Sequence, residues 1–348
     1  MSYLQNKLKE YRRRAQFAAA CFKRADSERF IRQVNQIGKE GNLVYLNRYG
    51  DTIPKCRVYH IKPEYSGSGF FADHSHLLGL LYFADYFGLE PVVEYPPDHC
   101  YAEKHPVNGR SNPFEYYYQQ PGAVSLEELY CYRQVICSRK ENGSYAVALK
   151  ENSNGYSITE KYIQEMGRIT RKYLRLQPEV EGYIEESIQK LAKGNEQLLG
   201  IHFRGTDFKR NYNGHPVSLT VEDYGAVIDS LLDKGYEKLF IATDDMEALE
   251  RFKELYGNKL VFFEDVIRST EKETVMKSVS ERTEHHYRLG LEVLRDMMML
   301  AKCDSLIAGL SQVSIAARIQ KASRSESYRE LIVIDKGINY HKKENCAQ

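Results

Sequence analysis

The sequence predicts an α/β protein of two halves, each built on a parallel sheet flanked by helices. Three observations carry this. The chain has 348 residues, enough for two domains. Short β-branched runs alternate with stretches of helical period, most clearly beyond residue 198. Glycines close several of the helical stretches, as at Gly88, Gly235 and Gly257.

The first 41 residues read as a basic helical segment, with Leu4, Leu8, Tyr11, Ala15, Ala18 and Phe22 at spacings of three and four. Ten Lys and Arg between Lys7 and Lys39 suit either water or an anionic membrane surface. Residues 42–175 form the first expected domain. NLVYLNRY and CRVYHI read as strands, SGSGFFADHS as a loop, HLLGLLYFADYFG as a helix and PVVEY as a second parallel strand, which is a βαβ unit. The Pro-, Gly- and Tyr-rich stretch 96–155 reads as long functional loops. A helical region from Ser157 to Lys193, interrupted at Pro178, connects the halves.

Residues 176–336 form the second expected domain, followed by a tail, 337–348. Strands LLGIHF, KLFIAT, KLVFF and SLIAGL alternate with helices over 221–235, 246–257, 288–302 and 312–320. Thr220, three residues before Asp223, is expected to cap the first of these helices.

Composition narrows the function. Lys plus Arg number 49 and Asp plus Glu 48, so the net charge of +1 provides no field for collecting nucleic acid. A hydrophobic fraction of 42%, a mean hydropathy of −0.55 and no apolar run of about 20 residues exclude a membrane-spanning enzyme. The N-terminus lacks the apolar core of a secretory signal, and the expectation is a cytoplasmic protein, at most peripheral to the membrane. Seven dispersed cysteines without a C-x-x-C indicate neither a disulfide framework nor a zinc site. The 27 tyrosines, with no tryptophan, are either ordinary half-buried filler or the lining of a polar groove such as a sugar site.

Ligands of doubly wound sheets bind at the carboxyl ends of the strands. There the second half places His202, Arg204 and Asp207, then Asp244 and Asp245, then Ser311 and Gln312. One of the aspartate pair is expected to cap the helix it opens, leaving the other for a ribose or a loop. Ser311 and Gln312 open a helix whose positive end suits a phosphate.

The set HFRGTD (202–207), ATDD (242–245), RDMMMLAKCD (295–304) and LSQVS (310–314) resembles the GDP-fucose-dependent fucosyltransferases that form α-1,6 linkages, including the nodulation enzymes, and more distantly the α-1,2 and protein O-fucosyltransferases. SGSGFFADHSHLL weakly resembles the Gly-rich loop that opens the first domain of that family. The resemblance implies a GT-B fold, two Rossmann-like domains facing across a cleft, and a metal-independent, inverting glycosyltransferase. The expected reaction moves fucose from GDP-fucose to a hydroxyl of an oligosaccharide or glycolipid acceptor. A different GDP-sugar or a non-catalytic nucleotide-sugar binder are the alternatives.

On this resemblance Arg204 meets the diphosphate, Asp296 accepts the two donors on the edge of guanine, and His202 adds a second base contact. No cofactor beyond the GDP-sugar co-substrate and no metal site are expected, since D-x-D is absent. Two departures stand out. Gly205 replaces the family's second arginine, and the FKRNYNG loop lacks the carboxylate that serves as base. Asp73, Glu94 and Asp98, with His76, are therefore the acceptor-side candidates, and a leaving phosphate that takes the proton itself is the alternative to a protein base.

Overall fold

The computed structural model describes residues 44–53, 57–63, 69–139, 156, 158–192, 197–270, 275–278 and 280–340, with the helical positions Leu8, Tyr11, Arg12, Ala15 and Ala19. The rest of the basic segment, and its expected membrane contact, lie outside these residues. Among the described residues no helix is long and apolar enough to cross a membrane. The chain divides into one unit of Met1–Leu149 with Arg168–Gln177 and another of Lys150–Gly167 with Pro178–Gln348.

The first unit holds a four-stranded sheet of β1 (Val44–Asn47), β2 (Val58–Ile61), β3 (Glu90–Val93) and β4 (Val135–Ser138), in the order β1-β4-β2-β3. β2 runs parallel to β3 and to β4, while β1 is antiparallel to β4. Helix α1 (Phe70–Phe87) crosses from β2 to β3, starting after Gly69 and ending at Gly88, whose φ of 62° supplies the left-handed turn that closes a helix. Its start at Phe70 is six residues earlier than the periodicity predicts. The VICS strand β4 lies inside the stretch expected to be loops, together with a short helix, α2 (Leu126–Leu129).

The predicted connecting helix is two helices, α3 (Glu160–Tyr173) and α4, which begins at Pro178 and runs to Leu191. Pro178 fits a first helical position, where the missing N–H would have no partner. The domain reading carried 42–175 as one block, whereas residues 150–167 group with the second unit. Gly167 lets the helix approach Ala322 and Ser323 so closely that a Cβ there would lie 3.0 Å from their atoms. From Arg168 the chain belongs to the first unit again, where Arg168 and Lys172 pair with Asp85 at 2.8 and 2.5 Å.

The second unit holds a five-stranded, wholly parallel sheet of β5 (Leu198–Phe203), β6 (Lys238–Thr243), β7 (Leu260–Val261), β8 (Ser305–Gly309) and β9 (Leu331–Ile334). Its order is β7-β6-β5-β8-β9. Helices α5 (Glu222–Leu232), α6 (Met246–Tyr256), α7 (His285–Lys302) and α8 (Gln312–Ser323) make the crossovers. All six residues of β5 are buried, as expected of a central strand covered on both faces. Leu199, Ile201 and Phe203 join Tyr224, Ile228, Phe252 and Ile307 in the core.

Three details differ from the sequence reading. LIVI is a fifth strand. Residues 337–340 are no loose tail, because Val217 and Gly214 donate to the carbonyls of Gly337 and Asn339 at 2.9 and 2.7 Å. Thr220 supplies no hydroxyl cap to α5; instead its amide donates to the Asp223 carboxylate at 2.8 Å, the other half of a capping box.

Candidate functional site

The order of the second sheet reverses between β5 and β8: from β5 the chain winds outward to β6 and β7, then returns to β8 and β9 on the other side. Such a switch point opens a crevice at the carboxyl ends of the two central strands. His202 lies there on β5, flanked in register by Ala242 and Ala308. Small neighbours leave its ring room, and Tyr224 O–H holds its backbone carbonyl at 3.0 Å.

The loop after β5 turns sharply onto the end of β6. Arg204 ion-pairs with Asp244, whose carboxylate also accepts from the Gly205 amide at 3.0 Å and the Thr206 hydroxyl at 2.7 Å. Asp245 caps α6, accepting from Ala248 N–H at 3.1 Å, and binds Lys209 at 2.6 Å. The two aspartates thus take different tasks, Asp245 the cap and Asp244 the loop. Gly205 has a direct physical reason, because a Cβ there would lie 2.1 Å from Asp245 Oδ2. No arginine fits at that position. The turn is tight enough to hold Thr206 at φ +33°, a left-handed conformation that a β-branched residue adopts only when its surroundings impose it. The Asp207 side chain lies outside the described residues.

A second loop completes this edge. Ser269 N–H donates to the Asp244 carbonyl at 2.9 Å, and Met246 N–H to the Ser269 carbonyl at 3.0 Å. The preceding residue, Arg268, gives Nη2 to the Phe263 carbonyl at 2.9 Å and attracts Asp296 on α7. Burial pushes the Asp296 carboxyl up to about 7, against the pull of Arg268 and Arg295 and with Glu292 and Asp265 adding to the rise. Burial also drives the His202 imidazole down to about 4, Asp244 opposing and Arg204 assisting, so His202 is neutral at pH 7. At the end of β8, Ser311 caps α8, its hydroxyl accepting from Val313 N–H at 3.2 Å. Gln312 is the first residue of that helix.

His202 Nδ1 and Asp296 Oδ1 are both buried without a hydrogen-bond partner. Other buried side-chain atoms in both units share this state, Thr170 Oγ1 and Arg318 Nε among them, so it is the place of His202 at the strand-end crevice that makes its empty nitrogen a group for a polar ligand, an unmade bond there costing about 1–3 kcal/mol. Asp304, eight residues after Asp296, does something else. It stands at the amino end of β8 and accepts from Leu198 N–H at 2.8 Å, holding the opposite end of the sheet. His285 and His286 open α7, three residues ahead of the helix start expected at 288, and the buried His285 takes Arg282 Nε at 2.9 Å.

The acceptor-side candidates of the first unit stand on α1, just after β3 and in the loop beyond it. Asp73 pairs with His99 at 3.2 Å. His99 Nδ1 accepts from the Tyr101 amide at 3.3 Å, so the Nε2 atom, on the side of Asp73, carries the proton. Asp73, His99 and Cys100 could gather round a metal ion, but that hydrogen bonding occupies the imidazole lone pair. Glu94 accepts from His60 Nε2 and Tyr130 O–H, both at 2.9 Å, with Lys62 at 3.6 Å. The His60 hydrogen bond above all holds the Glu94 carboxyl down at about 2, with burial opposing it and Tyr130 and Lys62 assisting. Asp98 is exposed, and His76 lies on α1.

Sequence reasoning missed Thr206, Lys209, Arg268 and Ser269. Thr206 and Lys209 stood inside a motif or beside it; Arg268 and Ser269 carry no local signal, since a crossing of loops brings them to the site.

No family model matches the chain, and no curated protein sequence does. Solved structures do. The fucosyltransferase NodZ from Bradyrhizobium matches at a TM-score of 0.47 and 15% identity, over 82% of this chain and 97% of that one. NodZ α-1,6-fucosyltransferase soaked with GDP-fucose matches at 0.45 and 15%, over 76% and 92%. POFUT1 in complex with GDP-fucose matches at 0.44 and 12%, over 82% and 99%. NodZ is named a fucosyltransferase, the class of enzyme that the motifs between His202 and Ser314 resemble.

Proposed function

We propose that the second unit binds a GDP-sugar, GDP-fucose in the first instance, and that the chain transfers the sugar to a glycan hydroxyl held by the first unit. One observation carries the reading: the carboxyl ends of β5, β6 and β8, around a switch point, present Arg204, Asp244 and Ser311 together with a buried, unpartnered His202 nitrogen.

Arg204 is the group for the diphosphate. A guanidinium is always charged and offers a fork matched to phosphate oxygens. Its ion pair with Asp244, at 27% and 14% side-chain exposure, is accessible enough to exchange for phosphate. Asp296 and neutral His202 are the base contacts. A carboxyl held near 7 by burial ionises readily once guanine's two N–H groups replace the solvation it lacks.

In the proposed step an acceptor hydroxyl attacks the anomeric carbon from the face opposite the phosphate. The step is dissociative: the bond to the β-phosphate breaks ahead of C–O bond formation and the hydroxyl adds to the cationic sugar so released, which converts a β-linked donor into an α-linkage. Glu94 is a weak base, its carboxyl held down at about 2 chiefly by the His60 hydrogen bond. The departing phosphate takes the hydroxyl proton, Arg204 stabilises its growing charge, and no step calls for a metal.

The test is incubation with a panel of GDP-sugars while released GDP is monitored. Slow hydrolysis of one of them, absent in Arg204→Ala, is the expected result. Binding of GDP without turnover of any GDP-sugar overturns the catalytic reading.

A further inference from the structure

The first unit contains an open cavity of about 440 Å³, within the roughly 300–1,000 Å³ of small-molecule sites. Its walls include Tyr45 and Asn47 of β1, Tyr49 just beyond, Lys62 at the carboxyl end of β2, Asp98 after β3, and Tyr130 after α2.

Tyr49 and Tyr130 are fixed from beneath. Tyr49 O–H donates to His60 Nδ1 at 2.7 Å, and the fully buried His60 passes its Nε2 proton toward Glu94, which also takes Tyr130 O–H at 2.9 Å. Both phenols are raised, chiefly by burial, so both remain donors. The turn bearing Tyr49 seats on the strand side of Tyr130 because Gly50 allows it: a Cβ there would lie 2.6 Å from the Tyr130 carbonyl, and Gly50 N–H donates to Tyr132 at 2.9 Å.

Two consequences follow. The hydroxyls of Tyr49 and Tyr130 are committed inward, so what these residues offer a ligand is ring surface. The rings are also preorganised, which removes the ordering cost of binding. Their centroids lie 4.9 Å apart with planes tilted by 58°, a corner and not a slot, so a flat aromatic ligand gains one stacked face at most. The polar walls hold both signs of charge, Lys62 lying 3.6 Å from Glu94 and Asp98 on the same cavity, so an isolated phosphate has no net positive site. A puckered ring with an apolar C–H face and a rim of hydroxyls fits both features: C–H bonds against the tyrosines, hydroxyls toward the Asn47 amide, Lys62 and Asp98.

We propose that this cavity is a saccharide subsite, taking one pyranose unit against the Tyr49–Tyr130 corner. It deepens the glycosyl-transfer reading by naming acceptor-side residues, and it rests on that reading only for the expectation that the chain meets carbohydrate.

The experiment is saturation-transfer NMR and calorimetry on the full chain, using methyl pyranosides of glucose, galactose, mannose and N-acetylglucosamine and their short oligomers, with GDP as a separate arm. Expected is binding by at least one sugar with Kd on the order of 1 mM or tighter, saturation being strongest on one C–H face. Tyr130→Ala should weaken it roughly 10-fold, the worth of an aromatic contact, while Tyr130→Phe should stay within about 3-fold because the ring remains. GDP affinity should be unchanged in both variants, and melting temperatures near wild type show that the first unit still folds. Three results overturn the proposal: no sugar binding while GDP binds, equal loss in Tyr130→Phe and Tyr130→Ala, or preferential binding of a planar aromatic compound. Sugar binding without GDP binding leaves the subsite standing and removes the donor reading.

Discussion

The two units treat their charged side chains in opposite ways. In the first, the half-buried carboxylates have partners: Glu94 takes Tyr130 O–H and pairs with His60 and Lys62, and Asp73 pairs with His99. In the second, charges at the strand ends are held in pairs that a ligand can enter, and His202 Nδ1 and Asp296 Oδ1 are among the atoms buried without a hydrogen-bond partner. A carboxylate engaged as Glu94 is ties its surroundings together, although buried atoms without a hydrogen-bond partner, such as Thr170 Oγ1, occur in the first unit too. A vacancy at the strand-end crevice leaves stability in reserve for a ligand to supply, since whatever fills it restores hydrogen bonds that folding left unmade.

The largest effects should come from the loop that separates the units in this respect. Arg204→Lys replaces a fork with a point charge and should lower turnover of the preferred GDP-sugar by on the order of 100-fold, with a melting temperature near wild type. Retention of more than about a third of turnover would remove Arg204 from the diphosphate. Gly205→Ala should lose activity to a similar degree through geometry, because its Cβ would sit 2.1 Å from the Asp245 carboxylate. Its melting point should also drop, overpacking of this kind costing about 1–3 kcal/mol. A Gly205→Ala protein with full activity would mean that the turn at Thr206 is not needed.

Next in size is base selectivity. Asp296 accepting two donors from guanine should favour GDP over ADP and UDP by about 10-fold to 100-fold, the worth of a charged hydrogen bond in a buried site. Asp296→Asn should erase most of that preference and leave the diphosphate-driven affinity for all three. Calorimetric titration decides it, and equal affinities in the wild type would take the guanine reading away.

How far these sites could be read from sequence depends on distance along the chain. The alternation of strand and helix beyond residue 198, and the polar residues just past β5, β6 and β8, were legible because the strand-end rule needs only local order. The division of labour between Asp244 and Asp245 was not, since either can cap a helix, and only the fold of the β5 loop shows which one faces Arg204. Arg268 and Ser269 come to the site through a loop crossing that no spacing encodes. In the first unit VICS was hidden by the Pro- and Tyr-rich loops around it, although it is the strand that joins β1 to β2. LIVI, a four-residue run near the C-terminus, becomes a strand through its pairing with β8, which no local spacing encodes.

The committed carboxylate of the first unit predicts a smaller effect, on stability. Glu94 has its carboxyl held at about 2, chiefly by the hydrogen bond from His60, against an ordinary 4.5. The sign is that of a depressed acid: the stabilisation is full above about 4.5 and is lost as pH falls toward about 2. Glu94→Gln should therefore lower stability at pH 7 by about 1–3 kcal/mol in a chemical melt, while leaving GDP affinity untouched. A Glu94→Gln protein of undiminished stability would show that Glu94 does not tie its surroundings together in the way its hydrogen bonds imply.

The smallest effect is also the sharpest test of the vacancies in the second unit, because two of them should cancel. His202 falls from 6.5 to about 4 in the folded chain, so between those values the unfolded state binds more protons and stability rises with pH. Asp296 climbs from 3.8 to about 7, so over the same interval the folded state binds more protons and stability falls with pH. Each slope is at most about 1.4 kcal/mol per pH unit, one proton's worth, and the two oppose. The ligand-free wild type should thus show little net dependence from these groups between about pH 4 and 6.5. Asp296→Asn removes the falling term and should leave a melting temperature that rises with pH. His202→Gln should leave one that falls. GDP should tilt the wild type toward the first pattern, because guanine's donors favour the ionised carboxylate and lower its pKa. Melts of the three proteins at intervals of about half a pH unit, with and without GDP, would show these tilts as opposite in sign. Parallel curves would mean that His202 and Asp296 are not the unpartnered buried groups on which the nucleotide site depends.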